Sequence, residues 1–183
     1  YAGGAMGVLV IFAHPYPSVS RANAALLRGI DGLPNVTVRS LYDLYPDFDI
    51  DGDAERAALE SARLVAFMHP LYWYTTPALL KHWFDQVLVR GWAYGKDATG
   101  LRGKDCLWVA TTGGDEAAYS QTGRHEHPFA AFAPVVEQTA RYCGMRWLDP
   151  FILHGAHAIA DEELAHAALR LRERLSVRDI VDA

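Results

Sequence analysis

The sequence predicts an α/β protein of three layers, in which a parallel β-sheet lies between helices on both of its faces. Two observations carry this prediction. Strand and helix signals alternate along the whole chain, and the strand segments are short, continuous apolar runs. Such runs are typical of sheets that are covered on both faces, and βα alternation produces parallel strands joined by right-handed crossovers.

Five strand–helix units follow one another, and several are bounded by residues that favour helix ends. The predicted strands are Gly7–Phe12, Val36–Leu41, Leu64–Met68, Lys104–Thr111 and a fifth within Arg146–Leu153. The predicted helices are Arg21–Ile30, Asp53–Ala62, Pro77–Arg90, Pro128–Cys143 and Glu162–Leu175. Pro77 suits a first helical turn and Gly144 a helix stop, while the last helix has acids at its start and arginines near its end.

Length and charge limit the classes of protein to which the chain can belong. Its 183 residues fit one domain, which we place at residues 7–183, after a short cloning remnant and a native start at Met6 within residues 1–6. The formal net charge is −5 and no cluster of Lys and Arg is present. We therefore expect no nucleic-acid partner and no direct binding to an anionic membrane surface.

The two cysteines, Cys106 and Cys143, indicate a reducing compartment. They form neither a CxxC motif nor a metal-ligand spacing, so the sequence predicts no metal site and no disulfide framework. No apolar run approaches the roughly 18 residues of a membrane span. The first residues lack the charge and the apolar core of a signal peptide. Together these features predict a cytoplasmic protein.

Ligands of parallel α/β sheets bind beyond the carboxyl ends of the strands, where the strand order reverses. The loop after strand one, residues 13–23, contains neither GxGxxG nor a P-loop. Instead, Ser20 is a suitable N-cap for the following helix, and Asn23 lies in its first turn. Free backbone N–H groups, the helix dipole and these side chains would bind one phosphate. Ordinary helix capping, and a structural role for His14, are the alternatives.

The loop after strand three contains three consecutive aromatic residues, Tyr72, Trp73 and Tyr74. Neighbouring side chains point in different directions, so the three cannot all enter the core. A flat aromatic ligand held against this loop would account for them. A satellite hydrophobic cluster and an oligomer interface are the alternatives.

The loop after strand four begins with the sequence TTGG at Thr111–Gly114. Paired glycines permit close approach of a ligand to the backbone and the threonines supply hydroxyl groups, although a simple turn is the alternative. Tyr119, His125 and His127 follow in a stretch with weak secondary-structure signals. A tyrosine and a histidine in such a loop can donate protons to a developing oxyanion, or they can be surface residues.

Eight short motifs of the chain are specific in combination. They are AHPYP at residues 13–17, SRAN at 20–23, LYDLYPDF at 41–48, HPLYWY at 69–74, PALLKHWFD at 77–85, GWAYG at 91–95, TTGG at 111–114 and YCG at 142–144. Taken together, these motifs resemble the NAD(P)H:quinone oxidoreductases, and within that group the bacterial cytoplasmic oxidoreductases that accompany glutathione-gated potassium-efflux systems. The resemblance covers nearly the whole chain, from Gly7 to about Leu175.

The resemblance implies a flavodoxin-like fold, with a five-stranded sheet of order 2-1-3-4-5, in a homodimer. It also implies FMN as cofactor, with FAD as the alternative found in the animal relatives, and NADH or NADPH as co-substrate. The residues that would hold the flavin phosphate are His14, Ser20, Arg21, Ala22 and Asn23. Those that would hold the isoalloxazine ring are Leu71, Tyr72, Trp73, Tyr74, Thr111, Thr112, Gly113 and Gly114.

The resemblance also implies catalytic roles for Tyr119 and His125. They match the spacing of a Tyr and a His that polarise flavin and quinone in the animal enzymes, and His127 is a competing candidate. The implied reaction is two-electron, ping-pong hydride transfer from NAD(P)H through the flavin to a quinone. The alternatives are a flavodoxin-type electron carrier, azo- or nitro-reduction, and a regulatory subunit bound to a membrane potassium-efflux protein at the inner face of the membrane.

A homodimer with the flavin near its interface is also expected from two features of the sequence. One is the aromatic loop after strand three. The other is the Pro77–Arg90 helix, in which Trp83, Phe84 and Val87 are candidates for the contact between copies. Twofold symmetry is the commonest oligomeric arrangement.

Overall fold

The computed structural model describes residues 7–176 and shows the predicted alternation of strands and helices. The strands of these residues are β1 (Gly7–Phe12), β2 (Val36–Ser40), β3 (Ala62–Pro70), β4 (Asp105–Thr111), β5 (Arg146–Trp147) and β6 (Phe151–Leu153). Their α-helices are α1 (Arg21–Ile30), α2 (Leu41–Leu44), α3 (Gly52–Glu60), α4 (Ala78–Val87), α5 (Pro134–Tyr142) and α6 (Asp161–Leu175). Short 3₁₀ segments cover Pro17–Val19, Glu116–Ala118 and Phe129–Phe132. The predicted cloning remnant and the start at Met6 lie outside the described residues.

The sheet is parallel throughout and has the order β2-β1-β3-β4-β5. Strand β6 also pairs with β4, in parallel, so β5 and β6 are two pieces of one fifth strand along the same neighbour. Pro150 lies between the two pieces and has no N–H to donate, which accounts for a break there. The predicted strand order 2-1-3-4-5 is confirmed.

Alternate residues of β1, β3 and β4 point to opposite faces of the sheet and fill two separate apolar cores. On one face, Phe67 and Trp108 are buried with apolar residues of α3, α4 and α5. On the other face, Val10 is buried with residues of α1 and α6. Helices α1 and α6 pack closely because Gly29 has no side chain: a Cβ there would lie 2.9 Å from the Cβ of Ala168. Burial on both faces explains why the strands are continuous apolar runs.

Several helices differ from their predicted bounds. The predicted Pro128–Cys143 helix is a 3₁₀ segment followed by α5, because Pro134 supplies no N–H and starts a new helix. The predicted Asp53–Ala62 helix is α3, which ends at Glu60 because β3 begins at Ala62. The predicted Pro77–Arg90 helix is the shorter α4. Helix α2 is too short for a periodic signal, so the sequence does not predict it.

The expected dimer contact of α4 is wrong, because its three residues belong to the core. Trp83, Phe84 and Val87 are at most 7% exposed, since this face of α4 covers the sheet. The ring of Phe67 on β3 lies 5.8 Å from that of Trp83 and 5.2 Å from that of Phe84, edge-on in both cases. The apolar spacing of this helix therefore indicates its contact with the sheet and not an interface between copies.

Glu55 of α3 is a fully buried carboxylate that accepts hydrogen bonds from three side chains. Arg39 of β2 donates to Oε1 from Nε at 2.8 Å and from Nη2 at 2.5 Å, and the Tyr45 hydroxyl donates to the same oxygen at 2.6 Å. Trp83 of α4 donates its indole N–H to Oε2 at 2.9 Å. A buried charge is tolerated when it is paired and hydrogen-bonded. This network joins β2, α3 and α4.

His69 is a buried, neutral histidine near the carboxyl end of β3. Its Nε2 accepts a hydrogen bond from the indole N–H of Trp108 at 2.8 Å, and its Nδ1–H donates to the Pro70 carbonyl at 2.8 Å. Burial lowers the pKa of this imidazole to about 4. The pair links β3 to β4 directly before the loops that follow these two strands.

Replacing Glu55 by Gln is expected to lower the free energy of unfolding by about 3 kcal/mol, because the charge that pairs with Arg39 is lost. We take the low end of the range for a broken buried pair because the Arg39 side chain is 22% exposed. Guanidinium unfolding followed by tryptophan fluorescence measures the change. The control is Glu60→Gln at the exposed end of α3, which should shift stability by less than about 0.5 kcal/mol. Equal losses in the two variants would contradict a stabilising role of the network.

Candidate functional site

A cavity of about 430 Å³ opens at the carboxyl ends of β1, β3 and β4, where the sequence predicts the site. The loops after these strands and the segment after β6 form its walls. The lining residues are His14, Tyr16, Val19, Ser20, Arg21, Ala22, Asn23, Pro70, Leu71, Tyr72, Thr111, Thr112, Gly113, Ala156 and His157. Of the residues predicted to hold the cofactor, Trp73, Tyr74 and Gly114 are outside this lining, although each is close in sequence to a residue within it.

One end of the cavity is the amino terminus of α1. Ser20 is its N-cap, as predicted: the hydroxyl oxygen accepts from the backbone N–H of Asn23 at 3.3 Å. The Asn23 side-chain amide donates to Ser20 Oγ and to Thr111 Oγ1, both at 3.0 Å, and so ties this helix to the end of β4. Within residues 7–176, the backbone N–H groups of Arg21 and Ala22 have no hydrogen-bond partner. Free N–H groups at a helix start bind anions.

The side chain of Arg21 is directed away from this anion site. Its guanidinium pairs with the Asp161 carboxylate and donates to the Ile159 carbonyl at the start of α6. Arg21 thus offers the cavity its backbone N–H, while its charge is neutralised by a neighbouring helix.

His14 lies at the end of β1, against the cavity, and is 7% exposed. Its Nδ1 accepts a hydrogen bond from the backbone N–H of Tyr16 at 3.0 Å. Burial lowers the pKa of the imidazole, which favours the neutral form. The single ring proton is therefore on Nε2, where it can be donated to a ligand.

The aromatic loop is a tight turn in which Tyr72 and Thr75 exchange two backbone hydrogen bonds, both of 3.0 Å. Its central residues, Trp73 and Tyr74, have positive φ angles of 49° and 64°. This region favours glycine, and such a conformation costs roughly 1–3 kcal/mol per residue. In the part of the chain that the structure describes, the N–H groups of both central residues lack a hydrogen-bond partner. The strained turn therefore presents a second pair of free donors.

Backbone hydrogen bonds hold the TTGG loop after β4. The Thr112 N–H donates to the Leu153 carbonyl at 3.0 Å, and the Thr112 hydroxyl donates to the Gly114 carbonyl at 2.8 Å. Gly113 needs to be glycine, because a Cβ there would stand 3.1 Å from the His157 ring. The N–H groups of Gly113 and Gly114 have no partner among residues 7–176. They form the third pair of free donors, of which Gly113 lines the cavity and Gly114 directly follows it.

Tyr119 and His125 lie together, whereas the His127 ring does not contact the Tyr119 ring. The Tyr119 and His125 rings stack with centroids 4.4 Å apart, and Tyr74 Oη is 3.2 Å from His125 Nδ1. His127 is exposed; its Nδ1 is 3.1 Å from the His125 carbonyl, and its ring centroid is 6.3 Å from that of Phe132. Burial raises the pKa of the Tyr119 phenol, and a hydrogen bond with Thr112 acts in the opposite direction. A protonated phenol and a histidine thus stand beside the TTGG loop.

The segment after β6 contributes residues that the sequence analysis does not single out. His154 contacts Thr112, with Nδ1 2.9 Å from Oγ1, and Ala156 and His157 line the cavity. The sequence contains a signal for these residues, because HGAH at residues 154–157 directly follows the fifth strand, at the same edge of the sheet as the other loops.

Neither a metal centre nor a membrane-spanning helix is found among residues 7–176. No three His, Cys, Asp or Glu side chains of this part of the chain come together as metal ligands. No helix in it is both long enough and apolar enough to cross a bilayer. The donors around the cavity suit an elongated ligand that has an anionic group at one end and a flat ring with acceptor atoms at the other.

Comparison with known proteins agrees with this architecture. A family model for the flavodoxin-like fold matches residues 6–175. The glutathione-regulated potassium-efflux system ancillary protein KefF of Klebsiella aerogenes is 48% identical over 168 residues, which cover 92% of this chain and 94% of that protein.

Two solved structures are similar in sequence and in shape. General stress protein 14 of Treponema denticola, determined in complex with FMN, is 32% identical with a TM-score of 0.88, over 92% of this chain and 97% of that one. A thermophilic tryptophan halogenase from Streptomycin violaceusniger is 36% identical with a TM-score of 0.87, over 90% and 96% of the two chains. One fold can support different reactions, so these similarities establish the ancestry and not the chemistry. The chain belongs to the family of proteins with the flavodoxin-like fold.

Proposed function

We propose that this protein is an FMN-dependent NAD(P)H:quinone oxidoreductase. The observation that carries the proposal is the presence of three pairs of unpartnered N–H groups, one in each loop after β1, β3 and β4 of the described chain. One pair suits a phosphate, and two pairs suit the polar edge of a flat ring. When bound, FMN supplies the two-electron chemistry between NAD(P)H and an acceptor. The FMN complex of the relative from Treponema denticola supports the same cofactor here.

The α1 end of the cavity would hold the FMN phosphate. The N–H groups of Arg21 and Ala22, the Ser20 hydroxyl and the helix dipole would stabilise its charge. His14 would add a donor from Nε2, and Asn23 would keep Ser20 in place. A single pair of free N–H groups matches one phosphate, which favours FMN over FAD.

The loops after β3 and β4 would hold the isoalloxazine ring. Its carbonyl oxygens and ring nitrogens would accept from the N–H groups of Trp73 and Tyr74 on one side and of Gly113 and Gly114 on the other. The absence of a side chain at Gly113 would let the ring approach the backbone. The ring site would be completed by Leu71, Tyr72, Thr111 and Thr112.

Tyr119 and His125 would stabilise the negative charge that develops on the acceptor. The raised pKa of Tyr119 keeps its phenol protonated, so that it can donate. Donation from Tyr74 Oη to His125 Nδ1 would leave the His125 ring proton on Nε2, available to an acceptor. Phe132, stacked on Tyr74 at 5.2 Å, adds apolar surface for a flat molecule such as a quinone, or for an azo or nitro compound.

Binding of the nicotinamide and the quinone in the same cavity would give a ping-pong sequence, in which the nicotinamide leaves before the quinone enters. It also disfavours a pure electron carrier, which needs no acceptor site and is usually far more acidic than a net charge of −5. The identity of 48% to KefF favours a second, compatible role. We propose that the protein also acts as an ancillary subunit of a potassium-efflux protein, at the cytoplasmic face of the membrane.

The Ser20→Ala variant is expected to bind FMN roughly 10- to 150-fold more weakly, because it loses a charge-assisted hydrogen bond worth about 1.5–3 kcal/mol. Titration of the protein with FMN, followed by the quenching of flavin fluorescence, gives the two dissociation constants. Ser18→Ala is the matched control, since Ser18 is exposed and lies before the cap. Unchanged FMN affinity in Ser20→Ala would show that the phosphate binds elsewhere.

The His125→Gln variant is expected to reduce quinone about tenfold more slowly, an effect of about 1.4 kcal/mol, with unchanged affinity for FMN. The effect is modest because flavin and solvent share the charge. Stopped-flow absorbance separates reduction by NAD(P)H from oxidation by quinone. His127→Gln is the control and should be as fast as wild type in both steps. A slow oxidation in His127→Gln alone would reverse the assignment of the two histidines.

We also propose a homodimer whose two copies meet around the openings of the cavities. Tyr16, Val19 and Trp73 are 66%, 80% and 91% exposed there, although they are apolar. Light scattering at micromolar concentration should give twice the chain mass of 20.3 kDa. Trp73→Ser should shift the protein toward the monomer, whereas Leu169→Ser, at a 56% exposed position of α6, should not. An FMN-bound wild-type monomer would rule out the proposal.

A further inference from the structure

We infer that His154 is a positioning residue of the flavin site, which sets the shape of the TTGG loop and the location of the Tyr119 ring. The inference rests on the proposed function, because it concerns the ring of FMN. His154 follows β6, outside the loops after β1, β3 and β4, and does not line the cavity. It acts through its neighbours, Thr112 and Tyr119.

The hydrogen bonds of Thr112 determine which nitrogen of His154 carries the proton. Thr112 Oγ1 lies 2.8 Å from the Gly114 carbonyl oxygen and 2.9 Å from His154 Nδ1. A carbonyl oxygen only accepts, so the one hydroxyl proton belongs to the bond with Gly114. His154 must then donate from Nδ1–H, and its Nε2 is unprotonated. In this tautomer His154 orients the hydroxyl, and the hydroxyl orients the Gly114 peptide.

The backbone that follows His154 is hydrogen-bonded to the TTGG loop, which fixes the position of the His154 Cα relative to that loop. The Gly155 N–H donates to the Gly114 carbonyl at 2.8 Å, and the Ala156 N–H donates to the Thr112 carbonyl at 2.8 Å. The Gly114 carbonyl therefore accepts two hydrogen bonds, one from each side of the loop. These two bonds fix the peptide plane between Gly114 and Asp115, while the bond to the Thr112 carbonyl fixes the peptide plane that carries the free Gly113 N–H.

The ring of His154 also limits where Tyr119 can lie. Its centroid is 5.3 Å from that of Tyr119 and 5.1 Å from that of Phe129, which meets it edge-on. Burial lowers the pKa of His154, while Asp115 and Glu116 act in the opposite direction. The rings of His154, Tyr119 and Phe129 thus contact one another, and His154 is one of the groups that confine the Tyr119 ring.

The first test does not depend on turnover. Long-range ¹H–¹⁵N spectra of the full chain, with and without FMN, should show His154 protonated at Nδ1 and unprotonated at Nε2. Thr112→Val should move the Nδ1 resonance of His154, whereas the resonances of His166, on the exposed face of α6, should not move. The opposite tautomer in the wild type would overturn the inference, whether or not FMN binds.

The second test measures FMN affinity and the absorption spectrum of the bound flavin. His154→Ala should weaken FMN binding about tenfold, or about 1.4 kcal/mol, and should shift the flavin spectrum. His154→Asn should restore both, because its side-chain amide can donate to Thr112 in place of Nδ1–H. His166→Ala is the control and should resemble wild type.

Coupling through Thr112 distinguishes a positioning role from a loss of packing. In the Thr112→Val background, His154→Ala should add little further loss of affinity, since the bond that it would break is already absent. Additive losses, or equal losses in His154→Ala and His154→Asn, would overturn the inference. A wild-type protein that binds no FMN would refute the proposed function itself, a result that the variants cannot produce.

Discussion

The parallel pairing of β1, β3 and β4 is the constraint on which the rest of this structure depends. Because these strands run in one direction, their carboxyl ends and the loops that follow them meet at one edge. Asn23, after β1, thereby reaches Thr111 at the end of β4 with a hydrogen bond of 3.0 Å. Leu71, after β3, donates to the Thr111 carbonyl at 2.8 Å. The cavity exists because the ladder brings three separate segments to this point.

The same pairing leaves both faces of the sheet apolar, so helices must cover both, and few polar groups are buried between the layers. Two of the buried polar side chains are satisfied differently. Glu55 pairs with Arg39, while His69 bonds Trp108 and a backbone carbonyl. Glu55 and His69 each join separate elements of the fold. A shift in strand register would separate them from their partners, so their hydrogen bonds favour one arrangement of an otherwise apolar core.

Backbone groups, more than side chains, give the site its binding character. Its free donors are N–H groups that a helix start, a turn with two positive φ angles and a glycine pair cannot bond internally. Each arises from a conformation that the fold imposes, and the strained turn at Trp73 and Tyr74 shows that the imposition has an energetic cost. This explains why each motif alone is weak in the sequence: the residues specify a backbone shape, and that shape specifies the ligand.

The sequence alone determined what depends on neighbours along the chain. Apolar runs identified the strands, their alternation with helices identified the parallel sheet, and Ser20 was recognisable as a cap because its partner is three residues away. The tertiary structure decided what depends on distant residues. It buried Trp83 against the sheet, put His125 rather than His127 beside Tyr119, and brought His154 to Thr112 across 42 positions of sequence. Periodicity describes which face of an element is apolar, but only packing decides what covers that face and which polar groups meet.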